Sequence, residues 1–226
     1  MATAPENLRI HFGDHTVSAL LQTPPDARAA LVLAHGAGAG MTHPFLTAVA
    51  DGLAARGIAT LRYQFPYMER GSKRTDPPAL AHATVRAVVA EASRLLPDVP
   101  LFAGGKSFGG RMTSQAQAEA PLSTVRGLFF LGFPLHPAGK PSTERAAHLE
   151  QVTVPMLLLQ GSRDELASLE LLQPVVGTLG DRATLAVFEH ADHSFHVPAK
   201  SGRKDAQVMQ ELLDTTSGWL VDHASP

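Results

Sequence analysis

Short apolar runs alternate with longer helix-like stretches along most of this 226-residue chain. Continuous apolar runs that end in glycine, ALVLAHG at 30–36 and VPMLLLQG at 154–161, are typical of parallel strands buried on both faces. Strand, helix and strand in repetition predict an α/β fold, a mostly parallel sheet with helices on both faces. The other predicted strands are 8–12, 16–22, 58–63, 100–105, 125–133 and 183–189.

Helices are predicted between these strands, over 43–56, 76–96, 107–119, 165–177 and 203–222. Asp76 is the expected N-cap of the second helix, because two prolines follow it at the first positions. The length suits one domain, 1–226. Because binding sites in such sheets lie beyond the carboxyl ends of the strands, the loops that follow strands deserve the closest attention.

Composition excludes several classes of function. Hydrophobic residues make up 44% and charged residues 18%, and the net charge is −2 without a basic or acidic block, so neither nucleic acid nor an anionic membrane is an expected partner. The absence of cysteine removes disulfides, thiolate zinc sites and a cysteine nucleophile. MATAPENLRIHF lacks a signal-peptide pattern, and no apolar stretch approaches the roughly 18 residues of a membrane span. We expect a cytoplasmic protein.

The stretch PLFAGGKSFGGR at 100–111 fits two incompatible motifs. A phosphate-binding P-loop needs a glycine at 100, five positions before Gly105, but Pro100 stands there. The alternative is G-x-S-x-G between a strand and a helix, a sharp turn that presents a nucleophilic serine. Because the motif follows a predicted strand and opens a predicted helix, Ser107 is the candidate nucleophile.

A serine nucleophile needs a base beside it and a carboxylate that orients the base. Asp164 follows the predicted strand 154–161, and His193 follows the last predicted strand. The order Ser107, Asp164, His193 is that of an α/β-hydrolase triad. Because the carboxyl ends of parallel strands share one edge of the sheet, we expect the three side chains to meet there.

Neighbouring residues leave alternatives open. His190 or His196 is an alternative base, and Glu165 is a weaker alternative to Asp164. The crowding of these histidines with Asp192 also suggests a metal site, but three-residue spacing aligns ligands only on a helix. Since the segment follows a strand and has a proline nearby, we predict a loop and no metal.

An oxyanion hole requires backbone N–H groups aimed at the developing negative charge. We expect one from Phe108, directly after the nucleophile, and one from the glycine-rich loop 35–40. Within that loop Ala37 is the preferred donor and Gly38 the alternative, while His35 is expected to order the loop by hydrogen bonding. The glycines do not fit G-x-G-x-x-G in either register, which argues against dinucleotide binding.

The segments HGAGAG, GGKSFGGR, GSRDEL and HADHSF together resemble the α/β-hydrolase superfamily, in order over nearly the whole chain. Within it, the chain is similar to the small hydrolases related to dienelactone hydrolase, especially a branch with HGAGAG and GKSFGGR signatures. The resemblance implies Ser107 as nucleophile, His193 as base and Asp164 as orienting acid. Dienelactone hydrolases carry a cysteine nucleophile, so their substrate does not carry over. Segment 134–153 is too short for a large cap domain.

The sequence thus predicts a carboxylesterase-like serine hydrolase that cleaves a small-molecule carboxylic ester or thioester through an acyl-enzyme, without a cofactor. A non-catalytic scaffold with the same fold is the alternative, and nucleotide binding is a third hypothesis. Tyr63, Phe65 and Tyr67 are candidate pocket residues. Arg111, in the first turn after Ser107, is expected to form a structural ion pair, with substrate binding as the alternative.

Overall fold

The computed structural model describes residues 4–225 of the chain. An eight-stranded sheet runs through its centre. The strands are β1 (Glu6–Phe12), β2 (His15–Gln22), β3 (Ala29–Ala34), β4 (Ile58–Tyr63), β5 (Leu101–Lys106), β6 (Val125–Leu131), β7 (Met156–Gly161) and β8 (Ala183–Phe188). Their order in the sheet is β1-β2-β4-β3-β5-β6-β7-β8. β1 and β2 form an antiparallel hairpin, β2 pairs antiparallel with β4, and all other pairs are parallel.

Within residues 4–225, five α-helices lie between strands and a sixth follows β8. They are α1 (Pro44–Ala54), α2 (Pro66–Glu69), α3 (Pro78–Leu95), α4 (Phe108–Glu119), α5 (Leu169–Leu179) and α6 (Asp205–Asp222). The sequence pattern missed α2, which spans only four residues. It also began α5 too early, because residues 162–168 form a loop after β7 before the helix starts at Leu169.

Both faces of the sheet are buried, as the continuous apolar runs predicted. Along β3, successive residues join two different hydrophobic clusters, because side chains alternate between the faces of a strand. Helices α3, α4 and α5 cover one face, and α1 and α6 cover the other. The α/β fold with helices on both faces is therefore confirmed. On one face lie Ala30, Val32 and Ala34, and on the other Ala29, Leu31 and Leu33.

Asp76 does not cap α3, so this expectation was wrong. The helix begins at Pro78, and Pro77 occupies the N-cap position. The buried carboxylate of Asp76 turns the other way: it accepts a hydrogen bond of 2.9 Å from the N–H of Tyr67 and pairs with Arg70 at 2.7 Å. Because proline has no N–H to offer at the start of α3, the donors of α2 are the better partners.

The segment between β6 and β7 is short, as predicted. Within residues 4–225 it contains a loop and the 3-10 helix Glu144–Gln151, and no large cap domain covers the sheet edge. In the same described range, every helix is too short or too polar to cross a bilayer. The carboxyl ends of the parallel strands are therefore approached by loops, which position the candidate site.

Candidate active site

Ser107 stands at a strained turn between β5 and α4. Its backbone has φ 49° and ψ −113°, a conformation that costs a non-glycine residue about 1–3 kcal/mol. Hydrogen bonds on both sides hold the turn: the N–H of Ser107 donates to Leu131 at 3.1 Å, and its carbonyl accepts from the N–H of Arg111 at 3.1 Å. The turn places Ser107 in the lining of a cavity, as expected for the serine of a G-x-S-x-G motif.

The glycines of the motif allow the turn and β3 to approach closely. A Cβ on Gly105 would lie 2.4 Å from the carbonyl oxygen of Ala34, and one on Gly109 would lie 2.5 Å from that of His35. Both separations are well below a van der Waals contact. Only glycine fits at these positions, so the motif reflects the packing of β5 and α4 against the end of β3.

Asp164 and His193 form a hydrogen-bonded pair at the neighbouring strand ends. Oδ2 of Asp164 lies 2.6 Å from Nδ1 of His193. The carboxylate is buried, with 3% of the residue exposed, and Oδ1 accepts a hydrogen bond of 2.8 Å from the N–H of Leu166. A carboxylate accepts from Nδ1–H, which leaves Nε2 of the imidazole unprotonated and free to act as a base.

His193 and Ser107 line one cavity of about 350 Å³ at the carboxyl edge of the sheet. The arrangement brings together the three residues that the sequence predicted, one after β5, one after β7 and one after β8. The other residues that line this cavity are Gly36, Ala37, Ala39, His43, Phe45, Leu46, Lys106, Leu166 and Ser194.

The alternative bases and acid lie elsewhere. His196 is exposed and pairs with Asp205 at 2.7 Å, and the hydrogen bond to that carboxylate raises the pKa of His196. His190, at φ 66° in the same loop, and the exposed Glu165 line a second cavity rather than that of Ser107. The geometry therefore favours His193 and Asp164 over their alternatives.

The segment around His193 is a loop. Asp192 shapes it, because its Oδ1 accepts hydrogen bonds from the N–H groups of Ser194 at 2.7 Å and His196 at 3.0 Å. The carboxylate of Asp192 therefore stabilises the loop in which it lies. Among residues 4–225, no three histidine or acidic side chains converge in a way that could hold a metal ion.

The glycine-rich loop after β3 presents Ala37 to the cavity. A turn holds it there: the N–H of Ala39 donates to the carbonyl of Gly36 at 3.3 Å, and Gly38 has φ 77°, which favours glycine. Across the described range 4–225, the N–H groups of Ala37 and Phe108 donate to no protein acceptor. Both amides are free to bind a ligand.

His35 orders this loop from below, as expected. It is fully buried; its Nδ1 donates to the carbonyl of Gly36 at 2.8 Å, and its Nε2 accepts from the N–H of Phe65 at 3.0 Å. Burial lowers the pKa of His35 to about 4. The imidazole is therefore neutral near pH 7 and joins the loop to the chain after β4.

The candidate pocket aromatics have a different place. Tyr63, Phe65 and Tyr67 are fully buried and do not line the cavity. Phe65 packs edge-on against His35 and Phe108, with ring centroids 5.1 and 5.3 Å apart. These apolar side chains follow the end of β4, where they support the turn and the loop rather than contact a ligand.

Arg111 does not form the expected ion pair. No acidic side chain among residues 4–225 pairs with it, and its Nε is buried without a hydrogen-bond partner. Burial, together with the charge of Arg145, lowers the pKa of Arg111. The 3-10 helix between β6 and β7 brings a second arginine rather than a carboxylate to this side chain.

Sequence reasoning missed two polar side chains that hold the site. Gln160 donates through Nε2 to Oδ2 of Asp164 at 2.5 Å, while its Oε1 accepts from the N–H of Phe133 at 3.0 Å. Lys106 donates through Nζ to the backbone carbonyl of His193. Gln160 gave a signal, because it is the one polar residue in the apolar strand β7.

A second cavity of about 380 Å³ adjoins the first. The two share Leu166 and His193. Its lining is more polar, since it includes Arg163, Glu165, His190, Asp192 and His196. The imidazole of His193 therefore stands between an apolar cavity and a polar one.

Solved structures share this fold at low sequence identity. The dienelactone hydrolase of Anabaena variabilis superposes with a TM-score of 0.79 and 20% identity, covering 99% of this chain and 100% of that one. An α/β serine hydrolase without lid from Xanthomonas campestris superposes with a TM-score of 0.75 and 22% identity, covering 99% of this chain and 98% of that one. For an α/β serine hydrolase homologue from Coxiella burnetii the TM-score is 0.74 and the identity 20%, covering 99% of each chain.

Curated relatives are longer. A Mycobacterium tuberculosis protein named as a candidate phosphoribosyl transferase is 26% identical over 230 aligned residues, which cover 96% of this chain but 46% of that protein. The chain thus spans about half the length of the curated relatives it matches. A family model described as an alpha/beta hydrolase domain matches residues 27–221. The chain therefore belongs to the α/β-hydrolase superfamily, with a fold like that of dienelactone hydrolase.

Proposed function

We propose that this protein is a serine hydrolase that cleaves a small-molecule carboxylic ester or thioester through Ser107, His193 and Asp164. One observation carries the proposal: a serine at a strained strand-to-helix turn shares a cavity with a histidine that is hydrogen-bonded to a buried aspartate. Membership of the α/β-hydrolase family supports it, because this order of residues recurs in that fold.

In the proposed reaction, Oγ of Ser107 attacks the carbonyl carbon while Nε2 of His193 takes its proton. The protonated imidazole then gives that proton to the departing alcohol or thiol, and an acyl-enzyme remains. Water, deprotonated by His193, attacks the acyl carbon and releases the acid with Ser107 restored. Asp164 keeps the imidazole in the tautomer that can accept the proton, and no cofactor takes part.

The negative charge that develops on the carbonyl oxygen is proposed to bind the N–H groups of Phe108 and Ala37. Both amides lack a protein acceptor among the described residues, so they need not break a bond to bind the oxyanion. Such preorganised donors commonly lower an acyl-transfer barrier by several kcal/mol. Gly38 remains the alternative second donor.

The cavity predicts a small acyl group. A volume of about 350 Å³ lies near the lower end of the range for small-molecule sites, roughly 300–1,000 Å³. Its lining is largely apolar, with Ala37, Ala39, Phe45, Leu46 and Leu166. We infer that short apolar acyl chains fit best, with the leaving group directed toward solvent or the second cavity.

The test is the variant Ser107→Ala assayed with p-nitrophenyl acetate and with a panel of short acyl esters and thioesters. We expect loss of turnover with an unchanged thermal transition. Ser217→Ala, in the outer part of α6, is the matched control and should hydrolyse the panel like the wild type. Turnover at the wild-type level in Ser107→Ala would refute the proposed nucleophile.

Labelling with a fluorophosphonate probe separates a working hydrolase from a non-catalytic scaffold of the same fold. A hydrolase should label at Ser107 and lose the label in Ser107→Ala. A scaffold should stay unlabelled in both proteins although it is folded.

A further inference from the structure

The side chain of Lys106 precedes the candidate nucleophile in the chain and reaches the candidate base. Its Nζ donates a hydrogen bond to the backbone carbonyl of His193, which lies 87 residues further along the sequence. Lys106 is the lysine of the sequence Gly105-Lys106-Ser107, which resembles the end of a P-loop motif. Here its side chain contacts the loop after β8, residues 189–198, which we call the histidine loop.

Gly132 makes room for this side chain, because a Cβ there would lie 3.0 Å from Nζ of Lys106. A Cβ on Gly36 would make only an ordinary van der Waals contact, 3.4 Å from Cγ of Lys106. The same Cβ on Gly132 would lie 3.2 Å from both Nδ1 and Cε1 of His193. The ammonium and the imidazole therefore pack around the same Cα, in a space that a larger residue at 132 would fill.

The surroundings of the ammonium combine burial with negative charge. Nζ lies 5.6 Å from the centroid of the Phe195 ring, a distance at which a cation is attracted to an aromatic face. Burial lowers the pKa of Lys106 to about 8, while the charges of Asp164 and Asp192 oppose that change. The other groups packed against it, Gly36 and Gly132, bring no charge.

We propose that Lys106 is a positioning residue for His193: it ties the histidine loop to the nucleophile turn and places a positive charge beside the Asp164–His193 pair. Because Lys106 and Ser107 are consecutive, any movement of the turn moves the anchor of the base with it. One side chain thus links the nucleophile turn directly to the loop of the base. This inference rests on the proposed function of the same site.

The first experiment compares Lys106→Met, which keeps the aliphatic length, with Lys106→Gln, which keeps a hydrogen-bond donor without the charge. We expect kcat of Lys106→Met to fall about 10–100-fold with little change in KM, since a misplaced catalytic group costs rate more than affinity. Lys106→Gln should lose less. Lys140→Met, in an exposed loop, is the control for loss of a lysine charge and should match the wild type.

The pH dependence of kcat/KM distinguishes positioning from simple structural support. Wild-type activity should fall above about pH 8, where the Lys106 ammonium loses its proton, and this alkaline limb should be absent from both variants. A loss of kcat that parallels a loss of thermal stability, with an unchanged pH profile, would overturn the proposal, as would wild-type kinetics in Lys106→Met.

Nuclear magnetic resonance of the wild-type protein tests whether Lys106 lies against His193, and it needs neither turnover nor a variant that must fold. Overhauser contacts between the ε-methylene of Lys106 and the ring of His193 support the proposal, and their absence overturns it. Failure of the proposed function is seen separately, as the absence of Ser107-dependent turnover and labelling in the wild type.

Discussion

Asp164 and His193 meet through a hydrogen bond of 2.6 Å between Oδ2 and Nδ1, although 28 residues separate them in the sequence. The carboxylate is buried and the imidazole is partly exposed to the cavity. Since Gln160 and the N–H of Leu166 also bind this carboxylate, it cannot turn away from the imidazole without leaving donors unsatisfied. The pair is a rigid support for a base at the surface of the cavity.

Replacing Asp164 by Asn should lower kcat about 10³–10⁴-fold, as loss of the orienting carboxylate does in other triads. The amide can donate to Nδ1, which places the ring proton on Nε2 and blocks proton transfer from Ser107. Steady-state kinetics with p-nitrophenyl acetate measure the effect. Glu165→Gln is the matched control, and equal losses in the two variants would contradict the choice of Asp164.

Ala37→Pro removes one backbone N–H and should lower kcat about 10²–10³-fold, the usual cost of losing one oxyanion donor. Position 37 is the second residue of the turn 36–39, where proline is well tolerated, so the fold should survive. Ala37→Ser keeps the amide and should retain activity. If Ala37→Pro keeps its rate, the donor is the amide of Gly38 or another group.

Gly109→Ala should reduce the free energy of unfolding by at least about 2 kcal/mol through overpacking. A Cβ there would lie 2.5 Å from the carbonyl oxygen of His35 and 2.6 Å from Cβ of Ala34. Gly177→Ala, inside α5 with no atom within 4 Å of its Cβ, should instead stabilise by about 0.5–1 kcal/mol. Urea denaturation of both variants checks the contrast, and similar changes in the two would contradict it.

Stability should fall as the pH drops from about 6.5 toward 4. Burial lowers the pKa of His35 from 6.5 to about 4, so between these values the unfolded chain binds a proton that the native state does not. The stabilisation is complete above pH 6.5 and amounts to about 3 kcal/mol at most. Burial also lowers the pKa of His148 to about 4, which adds a contribution of the same sign.

The measurement is the free energy of unfolding in urea at several pH values for the wild type and His35→Gln. Glutamine does not titrate, so the variant should show a flatter pH dependence whatever its stability at pH 7. His35→Gln combined with His148→Gln should be flatter still. A variant slope equal to that of the wild type would show that protonation of His35 does not limit acid stability.

The order of the elements was predictable because apolar periodicity responds to burial alone. The runs at 30–36 and 154–161 became β3 and β7. The turn at Ser107 was predictable from its glycines, which allow the turn to pass close to the end of β3. The ends of the runs were less certain: residues 35–36 and 132–133 leave the sheet as loops. A hydrogen bond between two loops, such as the one from the backbone N–H of Phe65 to His35, leaves no trace in the pattern of apolar residues.

By itself, then, the sequence determined the alternation of strands and helices and the loops that carry the candidate nucleophile, acid and base. Only the tertiary structure decided that Asp76 binds α2 instead of capping α3, that the charge of Arg145 rather than a carboxylate acts on Arg111, and that Gln160 and Lys106 hold the acid and the base. The physical reason is the distance along the sequence over which each interaction acts. Periodicity and turn chemistry act over a few consecutive residues, whereas a hydrogen bond between positions 106 and 193 exists only once the sheet has brought two strand ends together.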